Sequence, residues 1–165
     1  MKIENSCIPP GQYVTDKFPV FTTGNIPVIH KEDWTFKLFG EVESNVTLAM
    51  EDFMSLKTSI VRADFHCVTG WSRLANIWRG VLFSELMKIA KPTSSAKFVM
   101  VSCYGGYSAN MPIEVLLESN VLFAYSHDGQ DLTVDHGGPI RLVVPNRYAW
   151  KSAKWVNALE FMDIN

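Results

Sequence analysis

The chain of 165 residues carries 15 lysines and arginines against 17 aspartates and glutamates, a formal net charge of −2. Hydrophobic residues make up 47% and charged residues 19%, a balance that supplies a core and excludes a disordered chain. The small net charge excludes a global field that would recruit nucleic acid or an anionic membrane. Apolar runs are too short to span a bilayer, and the N-terminus lacks an apolar segment of signal-peptide length. A cytoplasmic location with reduced thiols is therefore expected. Cys7, Cys67 and Cys103 lie far apart with no CxxC spacing, which argues against a zinc ribbon or a c-type haem.

Residues 1–165 are read as one domain. Residues 1–33, rich in Pro, Gly and Thr ("IPPGQY", "FPVFTTGNIPVI"), form an irregular arm in this reading. "WTFKLFG" alternates Trp34, Phe36 and Leu38 with Thr35 and Lys37, the period of a half-buried strand. Thr47 is placed to cap a short helix over "LAMEDFMSL", with Glu51 and Asp52 at its positive end. "SIVRADFHC", β-branched and aromatic, predicts a strand that delivers Cys67 at its end. "SELMKIAK" predicts a helix capped by Ser84 and stopped before Pro92, and "AKFVMVSC" a strand. Pro112 suits the first turn of a helix over "IEVLLES". "VLFAYSHDGQDLTV" reads as strand, Asp-Gly turn and strand. "IRLVVP" and "KWVNALEFM" complete roughly six strands with short helices between them, an α+β order. No GxGxxG or GxxxxGK[ST] is present, which removes the main support for a nucleotide-binding α/β fold.

Three stretches carry candidate chemistry. "DFHCVTGWSR" sets Cys67 beside a Gly70 turn, with His66 adjacent and Arg73 six residues on; the sulfur is either core filling or a ligand. "DHGGPIRLVVPNRYAWKSAKW" brings His136, Arg141, Lys151, Ser152 and Lys154 close in sequence. Arg141 offers a planar fork to phosphate or carboxylate, and the N–H groups around Ser152–Ala153–Lys154 can form an anion nest; ordinary surface lysines on a hairpin remain the alternative. "VSCYGGYSANMP" runs a strand into a Gly-Gly loop, which lets a ligand approach backbone or simply turns the chain. Trp71, Trp78, Trp150 and Trp155 read as core or pocket wall.

In the order "PPGQ…FPV", "WTFKLFGEVE", "DFHCVTGWSR", "AKFVMVSCYGGYSANMP", "LFAYSHDGQDLTVDHGGPIRLVVP" and "YAWKSAKWV", the chain resembles the molybdopterin-binding domain of the sulfite oxidase family, in its short stand-alone prokaryotic form. The resemblance runs from residue 9 to 162. It implies a sulfite-oxidase-type molybdopterin-binding fold of mixed β-sheets with a barrel-like core and short helices. It also implies a molybdenum–molybdopterin cofactor in which Cys67 supplies the one protein thiolate. By the same resemblance His136 and Arg141 hold the pterin and its phosphate, and Ser152, Ala153 and Lys154 bind the cofactor. Cys103 and the arm residues Phe21 and Thr22 fall on cofactor-contacting positions.

The reaction implied is two-electron oxygen-atom transfer, sulfite-oxidase-like or S/N-oxide-reductase-like, on a small oxyanion, sulfoxide or N-oxide, with an external electron carrier. A non-catalytic molybdopterin-binding or carrier module is the alternative. Sulfite oxidases carry an Asn-Arg-Arg run after the cysteine. Here Gly70-Trp71-Ser72 stands there with Arg73 alone, the candidate substrate contact, and the Trp-Ser pattern is closer to the sulfoxide-reductase branch.

Overall fold

Pro- and Gly-rich segments cannot pair continuously, so the N-terminal arm crosses the surface until Thr35 starts the first long strand. The computed structural model describes residues 8–164, which leaves Cys7 outside it. The arm contains one short strand, β1 (Tyr13–Val14). Then follow β2 (Thr35–Gly40), β3 (Val46–Ala49), α1 (Met50–Met54), β4 (Thr58–His66), β5 (Trp71–Leu82) and α2 (Phe83–Ala90). The second half holds β6 (Phe98–Cys103), β7 (Ser108–Pro112), α3 (Ile113–Leu116), β8 (Leu122–His127), β9 (Gln130–Asp131), β10 (Arg141–Val143) and β11 (Val156–Met162). Single 3-10 turns cover Val134–His136 and Ala149–Lys151.

These strands form a six-stranded sheet, in which β5 is flanked by β1, β4 and β8 and β8 by β9 and β10, and a five-stranded sheet in the order β3-β2-β11-β6-β7. The mixed sheets with short helices are as the resemblance implied; both strand orders are open paths, so the barrel-like core is not a closed barrel. Phe36, Leu38, Val99, Val101, Leu159 and Phe161 of the second sheet share one core with Val81, Phe123 and Leu142 of the first and with Phe83 and Leu86 of α2. A second cluster, Val61, Phe65, Trp71, Trp78, Leu122, Ala124 and Val143, covers the other face of the first sheet. Leu122 and Phe123 are both buried, in different clusters, which explains the unbroken apolar run of β8. Among the described residues, no helix is long and apolar enough to cross a membrane.

Several local expectations are corrected. Thr47 and Leu48 belong to β3, and α1 covers only 50–54; Asp52 caps it from within, its Oδ2 accepting the Ala49 N–H at 2.9 Å. Ser84 lies inside α2, whose first residue is Phe83, drawn into the core at 0% exposure. Pro112 ends β7 in an extended conformation, and α3 stops at Leu116. The Asp-Gly turn is as expected: Asp128 and Gly129, both at positive φ, join His127 to its partner Gln130, as a two-residue hairpin turn requires. Against the roughly six strands expected, the described residues form eleven. The longest, β5, is not among those expected: it buries Asn76 and exposes Ile77, against the alternation that marks a strand.

Candidate functional site

Where the β4–β5 turn, the β6–β7 turn, segment 134–136, segment 149–155 and the arm meet, they enclose a cavity of about 270 Å³. Its lining includes Cys67, Phe21, Thr22, His136, Arg141, Ser152, Ala153 and Lys154. Residues more than 130 positions apart, such as Thr22 and Lys154, thus come together. Arg73 and Cys103 are not part of the lining.

β4 ends at His66 and leaves Cys67 on the turn, half-buried, with its backbone fully engaged. Its N–H donates to Trp71 O at 2.9 Å; its carbonyl accepts from Gly70 N and Gln12 Nε2, both at 3.0 Å. Thr69 Oγ1 donates to its sulfur at 3.1 Å. Ser72 Oγ donates to Gln12 Oε1 at 3.0 Å and lies 2.7 Å from His66 Nδ1. A hydroxyl has one hydrogen, so His66 Nδ1 carries the proton of that contact. His66, held by burial below the usual imidazole range, therefore braces the turn from behind through Ser72 and Gln12.

Arg141 opens β10 and is 4% exposed. It donates to His136 O and Ser152 O, both at 2.8 Å, and its guanidinium carbon lies 5.2 Å from the Phe65 ring centre and 5.6 Å from that of Trp78. Burial lowers its pKa to about 9, which leaves it a cation at neutral pH. Lys154 Nζ donates to Phe21 O at 2.9 Å and to Thr22 Oγ1 and Asp135 O at 3.0 Å. Burial first, then Arg141, lowers it to about 8. Neither cation has a carboxylate within 4.0 Å among the described residues. Burying such charge is costly without a counter-charge, so the cavity is built for an anionic group. Burial, followed by Arg141 and Lys154, holds His136 below its usual range and hence neutral at pH 7.

Close approach of the two cations depends on Gly137. At φ +102°, a Cβ there would stand 2.8 Å from Lys154 Cγ and 2.9 Å from Arg141 Cβ. Ser152 is committed to the scaffold: its Oγ accepts the buried Val144 N–H at 2.9 Å and its carbonyl serves Arg141. The N–H groups of Ala153 and Lys154 meet no backbone carbonyl among the described residues, as an anion nest requires.

The remaining expected residues lie elsewhere. Cys103 is buried in the main core, and burial pushes its thiol up to about 12, so it stays protonated. Arg73 donates to Asp16 O at 3.2 Å, to Asn76 Oδ1, and to Asp128 Oδ2 at 2.6 Å, with His127 Nε2 3.2 Å away. That guanidinium ties the arm to β5 and to the β8–β9 turn. Sequence reasoning missed Phe18, on the wall and stacked on His136 with ring centres 4.1 Å apart. It weighed the Gly-Gly loop as a simple turn, whereas Tyr104, Gly105 and Tyr107 form one wall, and Tyr107 OH donates to Trp150 O at 2.5 Å. Around the same cavity Val20, Phe21, Val68, Tyr107 and Trp150 are exposed apolar side chains. Among the described residues no three His, Cys, Asp or Glu side chains are grouped to hold a metal ion. A metal at Cys67 would have to bring most of its ligands with it.

The family model for the oxidoreductase molybdopterin binding domain matches residues 23–165. The oxidoreductase YuiH of Bacillus subtilis is 38% identical over 161 residues, spanning 96% of this chain and 80% of that protein. The catalytic subunit of the protein-methionine-sulfoxide reductase MsrP of Campylobacter jejuni is 32% identical over 149 residues, which are 79% of this chain and 49% of that protein. The crystal structure of the sulfane dehydrogenase SoxCD from Paracoccus pantotrophus superposes with a TM-score of 0.77 at 22% identity, covering 84% of this chain and 40% of that one. The shared element is thus one domain's fold, and both latter proteins are at least twice as long as the region they share with this chain.

Proposed function

The chain belongs to the oxidoreductase molybdopterin-binding domain family, and on that premise we propose that it is an oxygen-atom transferase whose oxygen-bearing substrate is an uncharged sulfoxide or N-oxide. The observation that carries the reading is the Cys67 sulfur on the wall of a cavity that also holds two cations without carboxylate partners. The residues present suit a molybdenum cofactor: one thiolate for a metal that brings its own dithiolene sulfurs, and Arg141, Lys154 and the Ala153–Lys154 amides for a phosphate. When bound, that cofactor supplies two-electron oxygen-atom exchange.

The protein's own contribution is binding and exclusion of water. Arg141 and Lys154 hold the anionic end, and Ser152 and Gly137 keep both cations in place. Neutral His136 adds a hydrogen-bonding ring without a third positive charge. The apolar rim of Val20, Phe21, Val68, Tyr107 and Trp150 favours a substrate with an apolar body over a hydrated oxyanion, which needs paired donors in place of water. Arg73, matched to Asp128 and set behind the lining, serves in this reading to hold the arm. The net change is R₂SO plus two electrons and two protons giving R₂S and water, with the electrons from an external carrier.

Chain produced in a molybdopterin-competent host should contain about one molybdenum per molecule, and Cys67→Ser should lose it while melting within a few degrees of the parent, since Cys67 lies on a half-buried turn. Turnover is then measured with a reduced artificial carrier over sulfoxides and N-oxides, and with an oxidised carrier over sulfite. Faster turnover of sulfite than of every S- or N-oxide would overturn the substrate assignment. Silence of a molybdenum-loaded sample towards all of them would make the chain a carrier module.

A further inference from the structure

We infer that Phe18 is a positioning residue of this site: its ring fixes the His136 imidazole beside Arg141 and keeps water from the space behind the cavity. Only the identity of what His136 and Arg141 bind rests on the reading above; the packing stands by itself. Phe18 is the one residue between Lys17 and Val20 that turns inward, its neighbours being exposed. The arm holds it from both sides. Upstream, Thr15 N donates to Ser72 O at 2.9 Å and Arg73 Nε to Asp16 O at 3.2 Å; downstream, Lys154 grips Phe21 and Thr22.

Five rings surround it. His136 is stacked at 4.1 Å and 21°, His127 meets it at 5.0 Å, Phe65 at 5.5 Å, and Trp71 and Trp78 at 6.0 Å. The Arg141 guanidinium carbon lies 5.9 Å from its centre. Phe18 lines the cavity, whereas Trp78 and His127 do not, so its ring is the partition between them. Behind the partition Trp78 is fully buried and the His127 side chain is only 14% exposed.

The consequence for His136 follows from its surroundings. Arg141, Lys154 and Asp135 face it directly, and Arg73 and His127 lie beyond Phe18. The cations and the burial disfavour its protonated form; Asp135 favours it. Opening the partition admits water, weakens both disfavouring influences and lets the imidazole charge. A His136 ring without its stacking partner would also no longer be held in register with Arg141, and the anion would lose a fixed contact.

The test uses Phe18→Ala, Phe18→Leu and Phe18→Tyr in the full chain. His136 is titrated by histidine-resolved NMR on cofactor-free protein, with His136→Gln to assign the signal, and molybdopterin release from loaded protein is followed by pterin fluorescence. In Phe18→Ala the His136 midpoint should move up towards the ordinary imidazole value near 6.5. Release should quicken about ten-fold, the scale set by one well-placed aromatic contact with its burial. Leucine refills volume without a stacking face, so Phe18→Leu should stay shifted, while Phe18→Tyr should restore both readouts. An unmoved midpoint in Phe18→Ala overturns the inference. Restoration by leucine as complete as by tyrosine does the same, and decides the matter if the alanine variant fails to fold. The titration is read without molybdenum, so failure of the proposed reaction leaves it interpretable.

Discussion

Replacing Gly137 by alanine tests the geometry that brings Arg141 and Lys154 side by side. A left-handed φ of +102° costs an L-residue about 1–2 kcal/mol. The new methyl would also stand 2.8 Å from Lys154 Cγ and 2.9 Å from Lys154 Cβ and Arg141 Cβ, and overpacking of that kind costs about 1–3 kcal/mol. Relief requires moving the stem of one cation. Gly129 is the internal control, because it shares the conformation at φ +83° but has nothing within 4 Å of its Cβ position. Gly129→Ala should therefore show the backbone cost alone, and Gly137→Ala about 3 kcal/mol in total. At roughly 2–4 °C per kcal/mol for a chain of this size, calorimetry should give a Tm fall of about 6–12 °C for Gly137→Ala and about 2–8 °C for Gly129→Ala. Only Gly137→Ala should also lower molybdenum retention after dialysis. Equal melting and equal retention in the two variants would refute the argument that a missing side chain holds the two cations together.

Two further outcomes follow from single groups. Ser152→Ala removes the acceptor of the buried Val144 N–H, so urea unfolding should show a loss of about 1–3 kcal/mol with Cys67 still reactive toward a thiol reagent in the cofactor-free protein. Acid should destabilise the fold through His127, whose pKa burial lowers to about 4. Its folded value lies below the unfolded value near 6.5, so the unfolded chain takes up the proton first. Stability is intact above about pH 6.5 and falls as pH drops towards 4, with a limiting slope of about 1.4 kcal/mol per unit for one proton and less in practice because the ring is partly exposed. Urea midpoints between pH 7 and 4.5 should be measurably flatter for His127→Gln; identical slopes would remove His127 as the cause.

Local chemistry made much of this legible in the sequence. The strand leading to Cys67, the Asp-Gly hairpin and the cation-bearing segment 141–154 each announce themselves within a dozen or so residues. What escaped depends on partners far along the chain. Asn76 is buried because Arg73, Ala63 and His127 from three places satisfy its amide, so a polar residue marks an inward position in β5. Phe18 looks like any aromatic in a proline-rich arm until His136 and Trp78 are folded around it. Arg73 read as a candidate substrate contact because its partners Asp16 and Asp128 lie 57 and 55 residues away. Cys103 shows the reverse: its strand was evident, but its inward side was decided by pairing with β11 at Val156.

An ammonium group has three hydrogens, and Lys154 commits all of them to chain oxygens at Phe21, Thr22 and Asp135. An anion that draws on one must share it with a chain oxygen, and two of the three belong to the arm. The hold on the arm and the hold on an anion are therefore linked at one nitrogen. The strength with which the arm clings is set against the strength with which the guest is gripped.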